Sequence, residues 1–149
     1  MSRVRIIVNM KAGRGKSGHT FPQFTKALQD QGIDFDVQVT QRPGHAVELA
    51  AEARSEGIGL VIAAGGDGTY HEVMNGITGN GMIINPMTAM GVVTSGSGCD
   101  FPRSIAMPRD DWKATAQVIK AQKYRYVDLV KVTYTGPYGA RETRAFLNA

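Results

Sequence analysis

Residues 65–69 read Gly-Gly-Asp-Gly-Thr and stand directly after the apolar run at 60–64. Glycines, an acid and a hydroxyl at that spacing have no shared packing reason, but they have a shared chemical one. Glycine lets the backbone approach phosphate oxygens closely and turn its N–H groups toward them. A helix starting at Tyr70 would add the positive end of its dipole. Asp67 would repel a phosphate unless a cation stands between them, and a carboxylate beside a phosphate loop is a natural partner for magnesium, directly or through water. Positioning and charge neutralisation are what phosphoryl transfer requires of a protein. The plainer alternative, that the glycines only make tight turns, weakens when the five residues are taken together.

Two further glycine-rich stretches accompany this one: residues 9–18, with Gly13, Gly15, Gly18 and the basic Lys11, Arg14 and Lys16, and residues 95–98, Ser-Gly-Ser-Gly. Gly15-Lys16-Ser17 is not a Walker-type loop, because that motif needs a glycine at position 10 and Met10 is there. Gly13, Gly15 and Gly18 spell Gly-x-Gly-x-x-Gly after a strand, but the second strand runs into Thr40 rather than the acid of a dinucleotide site.

The elements that must carry these loops follow from periodicity. Residues 4–9 are a β-branched run that ends in the polar Asn9, and they predict a buried parallel strand. Thr20 can cap a helix with Pro22 in its first turn and Gly32 beyond its end. Strands are predicted at 35–39, 60–64 and 90–94, and helices at 45–56, from Tyr70 to about Gly76, and at 110–121. Strands alternating with helices imply a doubly wound, mostly parallel α/β sheet through about residue 123. An open sheet of that kind binds ligands beyond the carboxyl ends of its strands, where all three glycine loops fall. Residues 124–134 and 144–148, joined by the turn at 136–139, predict a hairpin that breaks the pattern. Residues 1–123 are thus expected to form one domain and 124–149 the start of a second, β-rich one, left as an incomplete C-terminal hairpin.

Composition narrows the class. The 149 residues are 42% hydrophobic and 20% charged with net charge +4, which describes a globular chain suited to an anionic ligand or an anionic membrane surface as readily as to ordinary surface lysines. No basic stripe with interleaved aromatics points to nucleic acid. Cys99 is the single cysteine, so an internal disulfide is excluded and a reducing, cytoplasmic setting is expected. Any membrane contact is expected to be peripheral, since the longest clean apolar run is five residues, 60–64.

At this point the residues resemble a known family, the catalytic domain of diacylglycerol kinases, sphingosine and ceramide kinases and bacterial lipid kinases. Asn9-Met10-Lys11-Ala12-Gly13 resembles the family's Asn-Pro-x-Ser/Ala-Gly opening. Residues 65–69 with Glu72-Val73-Met74-Asn75-Gly76 resemble its Gly-Gly-Asp-Gly-Thr and Asn-Glu-Val-x-Asn-Gly signature. Residues 91–103 resemble Pro-x-Gly-Thr-x-Asn-Asp-Phe-Ala-Arg, and Phe146-Leu147-Asn148 the entry to the second domain. The first signature is shared with NAD kinases and phosphofructokinases, whose N-terminal domains have the fold expected here. The third segment favours lipid kinase.

The resemblance implies ATP and Mg2+ as cofactors and a lipid hydroxyl as acceptor, bound by a second domain. Asn9 and Thr40 would line the nucleotide. Gly65, Gly66, Asp67, Gly68, Thr69, Tyr70, His71 and Glu72 would surround the phosphates, joined by Gly96 and Ser97. Asp67 would be the catalytic carboxylate, and Asp67, Asp100 and Asp128 would share a water-mediated metal network. Asp100 and Asp128 could instead be a helix cap and a surface acid, and His71 a half-exposed histidine at a helix start. Met10 and Thr94 replace prolines, Ser97 a threonine and Cys99 an asparagine. Without further strands the hairpin is expected to be disordered or paired with a second copy of the chain. The alternatives to a lipid kinase are a NAD kinase-like fragment and a non-catalytic nucleotide-binding module.

Overall fold

A computed structural model describes residues 3–83, 86–94 and 100–147. Strands β1 (Val4–Val8), β2 (Phe35–Val39), β3 (Leu60–Gly65) and β4 (Ala89–Thr94) form one sheet, all parallel, in the order β2-β1-β3-β4. Helices α1 (Lys16–Asp30), α2 (His45–Ser55) and α3 (Asp67–Thr78) make the crossovers, and α4 (Asp100–Ser104) and α5 (Trp112–Ala121) follow β4. Side chains alternate across the pleat, so β1, β3 and β4 feed two cores. Ile7, Val61, Ala63 and Val92 pack with α2 and α3 on one face, through Leu49, Ala50, Tyr70, Val73 and Ile77. Ile6, Val8, Ile62, Ala64 and Val93 pack with α1 and α5 on the other, through Phe24, Leu28, Ala116 and Ile119. This is the doubly wound sheet the alternating pattern predicts.

Several element boundaries differ from the sequence reading; the last strand, expected at 144–148, is Arg141–Phe146, and the helix expected from 110 starts at Trp112 behind its cap Asp111. Helix α1 begins at Lys16, not Thr20: Gly15 caps it with φ 86°, and the Thr20 hydroxyl instead donates to the Lys16 carbonyl one turn back. Pro22 is therefore inside the helix, where it removes one N–H. Helix α3 begins at Asp67 and runs past Gly76 to Thr78, ending on Gly79 in the left-handed region, φ 54°. Gly76 is not a stop but a contact: a Cβ there would stand 2.6 Å from the Cβ of Ala50 and overlap the Val47 carbonyl oxygen. Its missing side chain lets α3 lie against α2. Strand β5 is Val130–Thr135 rather than 124–134, because β6 (Arg141–Phe146) offers partners to those six residues only.

The hairpin β5–β6 is formed and attached. Ala145 and Leu147 are buried with Met74 of α3, and Asn75 of α3 holds Ala145 by two hydrogen bonds, Nδ2 to the Ala145 carbonyl and the Ala145 N–H to Oδ1, each 2.9 Å. The hairpin is thus ordered and anchored to α3 at this end, rather than disordered. Its β5 strand is exposed along its whole length.

Arg5 of β1, 6% exposed, ties the sheet to α2 at the end remote from the loops. Its guanidinium donates to Asp36 at 2.7 and 3.0 Å and to Glu56 at 2.9 Å. The hydrogen bond from Arg5 holds the Glu56 carboxyl below its usual range. A depressed carboxyl contributes stability above its unfolded pKa, about 4.3, and loses that contribution as pH falls through the lower folded value. Glu56→Gln is therefore expected to flatten the acid limb of a melting-temperature profile taken from about pH 5 downward. An acid limb identical to wild type would show that the pair contributes nothing.

Candidate functional site

Strand ends gather at one edge. The Thr40 N–H donates to the Val8 carbonyl and the Asn9 N–H to the Ala64 carbonyl, each at 2.9 Å. Thr40, Asn9 and Gly65 thus stand in a row beyond β2, β1 and β3. The chain leaves β1 for β2 on one side and returns as β3 on the other. That reversal makes the β1–β3 junction the topological switch point, the place where doubly wound sheets take ligands.

The glycines of the signature divide by purpose. Gly65 ends β3, and a Cβ there would stand 2.8 Å from the Cβ of Thr69, which is buried. Gly65 is small for the sake of Thr69. Gly66 caps α3 in extended conformation, φ −108°, and Gly68 lies in its first turn. Neither has a positive φ, and a Cβ on either would meet nothing within 4 Å among the described residues. The fold itself does not call for glycine at 66 or 68, whereas an anion seated on the backbone would. The first N–H groups of α3 have no acceptor within the helix and carry the positive end of its dipole. Asp67, exposed, is the first residue of that helix.

The next three residues face the protein. Tyr70 is 1% exposed, and its hydroxyl lies 2.9 Å from the Gly65 carbonyl and 3.1 Å from that of Val93, so it joins the β3 and β4 ends. His71 sets its ring edge-on against Phe146, centroids 5.7 Å apart. The Glu72 carboxylate accepts the N–H groups of Gly44 at 3.0 Å and Ala46 at 3.2 Å, capping α2. Of the eight residues expected around a phosphate, Gly65 ends β3, Gly66 to Thr69 form the start of α3 with Asp67 and Gly68 exposed, and the side chains of Tyr70, His71 and Glu72 are engaged elsewhere.

The loop at 10–18 also differs from a phosphate cradle. Gly13, Arg14 and Gly15 have φ values of 61°, 58° and 86°, a left-handed turn for which two glycines are suited. The N–H groups of residues 15–18 all donate to carbonyls within residues 10–13, and the Asn9 side chain accepts from the Lys11 N–H at 3.0 Å. What the loop leaves exposed is the side chains of Lys11, Arg14 and Lys16, the last 3.7 Å from Asp110.

Among the acids, Asp100 opens α4 and pairs with Arg103 at 3.1 Å, and Asp128 is exposed in the unpaired segment before β5. No group of three His, Cys, Asp or Glu side chains among the described residues could hold a metal by direct ligation. Magnesium is typically held by one or two carboxylates with substrate phosphates and water completing its shell, and the exposed Asp67 at a phosphate-favouring helix end fits that mode. Gly96, Ser97 and Cys99 lie outside the described residues.

Two residues escaped the sequence reading. Asn75 was seen only as part of a signature, and its role in binding Ala145 needs a contact 70 positions away. His45 accepts the Gln41 N–H on Nδ1 at 3.0 Å, folding the 40–44 loop onto α2. The Gly44-His45 pair at a helix start was the available signal.

Residues 3–132 match the family described as the diacylglycerol kinase catalytic domain. The chain is 32% identical over 132 residues to a diacylglycerol kinase of Bacillus subtilis (strain 168), covering 89% of this chain and 42% of that protein. It is 31% identical over 139 residues to a YegS-like lipid kinase of Klebsiella pneumoniae (strain 342), covering 88% and 45%. A crystal structure of a diacylglycerol kinase from Bacillus anthracis str. Sterne superposes with a TM-score of 0.64 at 25% identity, over 89% of this chain and 45% of that one. The chain thus spans less than half the length of these relatives. No helix among the described residues is long and apolar enough to cross a membrane.

Proposed function

Because the chain belongs to the diacylglycerol kinase catalytic domain family, we propose that it seats the phosphates of ATP on the amino end of α3, as the nucleotide-binding part of a kinase that phosphorylates a lipid hydroxyl. One observation carries the reading: among the described residues, neither a close contact nor a positive φ calls for glycine at 66 or 68, at the end of the helix that favours an anion. In this reading the α3 backbone binds the transferred end of the triphosphate, Asn9 and Thr40 line the nucleoside, and Lys11, Arg14 and Lys16 add positive charge from the loop after β1. Asp67 would hold magnesium, with Asp100 and Asp128 joining through water. The ion would neutralise charge that builds on the phosphate oxygens during transfer. The protein's own contribution is to fix the phosphates against a rigid helix end, which is positioning rather than covalent chemistry.

The test is calorimetry on the full chain with ATP, with and without magnesium. Gly68→Ala is expected to leave the melting temperature unchanged or slightly raised, since alanine exceeds glycine in a helix by up to about 1 kcal/mol, while ATP affinity drops at least about tenfold, or 1.4 kcal/mol. Asp67→Ala is expected to weaken binding more with magnesium than without. ATP bound by Gly68→Ala as tightly as by wild type would sink the seat on α3.

A further inference from the structure

Glu72 stands in the middle of the family signature, yet both its carboxylate oxygens are taken by backbone N–H groups of another element, those of Gly44 and Ala46. Gly44 closes the loop that starts at Thr40, and its φ of 79° makes the turn into α2. On the other side of that loop, His45 Nδ1 accepts the Gln41 N–H. Residues 40–44 are thereby held at both ends by side chains, one from α3 and one from α2, while Thr40 itself is bound to the Val8 carbonyl.

The row from Gly66 past Asn9 to Thr40 crosses two strand spacings, about 10 Å. A nucleotide with its phosphates on α3 and its nucleoside over Asn9 lies with that nucleoside against the 40–44 loop. The element that seats the phosphates is then the same element that fixes the wall beside the nucleoside, and Glu72 is the link. We propose that Glu72 is a positioning residue that couples the two halves of the nucleotide site, setting the 40–44 loop for the nucleoside without touching the phosphates. The inference rests on the reading of this edge as a nucleotide site and adds how its two ends are held in register. A direct phosphate contact would place carboxylate against anion, and the hydrogen bonds that Glu72 makes direct it the other way.

The experiment compares Mg–ATP with Mg–tripolyphosphate, which has the phosphates and no nucleoside. Wild type, Glu72→Gln, His45→Leu and His45→Asn are titrated by calorimetry, with melting temperatures on the same samples. Glutamine cannot accept from both N–H groups, and leucine removes the acceptor for Gln41. Glu72→Gln is expected to weaken ATP about tenfold, by loss of a charge-assisted hydrogen bond, and His45→Leu about fivefold, by loss of an exposed neutral one, while tripolyphosphate affinity stays within about twofold. His45→Asn, whose amide oxygen can take the Gln41 N–H, is expected to restore ATP binding. Equal losses for both ligands in Glu72→Gln would overturn the inference in favour of a direct phosphate or metal contact, and no loss for either would overturn it outright. Should Glu72→Gln fail to fold, the His45 pair decides by the same comparison, because it alters the loop from α2. Wild type binding neither ligand would defeat the nucleotide reading itself, a result distinct from any of the variant outcomes.

Discussion

Mixed with ATP, magnesium and diacylglycerol, a polypeptide of these 149 residues is expected to bind nucleotide but pass little phosphate to lipid. Transfer needs an acceptor hydroxyl held in line and a group to take its proton. The candidate bases among the described residues are each committed or misplaced. Asp67 would be occupied by the metal in the proposed reading, Asp100 pairs with Arg103, Asp128 lies exposed in the segment before β5, His45 holds Gln41, His71 packs on Phe146, and His19 is exposed on α1. Missing a positioned base costs about 10²–10⁴-fold, and an acceptor held only by diffusion adds a penalty of up to about 10⁵–10⁸ M in effective concentration. The exposed faces of β5 are where further strands could add, and the relatives are more than twice as long as the matched region. Radiolabel transfer from ATP to diacylglycerol in mixed micelles measures the rate. Turnover in the common enzyme range of about 1–10³ per second would show that these residues alone hold a complete acceptor site.

Asn75→Ala is expected to be the most damaging single substitution for stability outside the apolar core. The amide donates to the His71 and Ala145 carbonyls at 2.8 and 2.9 Å and accepts the Ala145 N–H at 2.9 Å. Ala145 is 1% exposed, so its N–H and carbonyl would be left buried and without that partner, at roughly 1–3 kcal/mol each. Against a total stability of about 5–15 kcal/mol, this is enough to release the hairpin from α3. Denaturant unfolding gives the total, and hydrogen exchange gives the location, with protection lost first across β5 and β6. A change below about 1 kcal/mol, within the ordinary effect of a surface substitution, would mean that Ala145 finds another partner and that the hairpin is held by apolar contacts alone.

The sequence by itself determined the class of fold and the sheet edge at which residues 65–69 lie. Continuous apolar strands at 4–8 and 60–64, separated by amphipathic helices, allow only a parallel sheet covered on both faces, and such a sheet has its glycine loops at one edge. Local chemistry was also sufficient to single out residues 65–69. What it could not do was assign each glycine a reason. Gly65 and Gly76 are small because Thr69 and Ala50 press against them, and Gly13 and Gly15 are needed for a left-handed turn. Gly66 and Gly68 have neither reason, and only the packing around each position tells the three cases apart. The same holds for polar residues of the signature. Glu72 and Asn75 were legible as members of a motif, but their partners, Gly44 and Ala145, stand 28 and 70 residues away. Hydrogen bonds across such separations leave no periodicity in the chain, since they are made by elements that meet only when the sheet and its helices have packed.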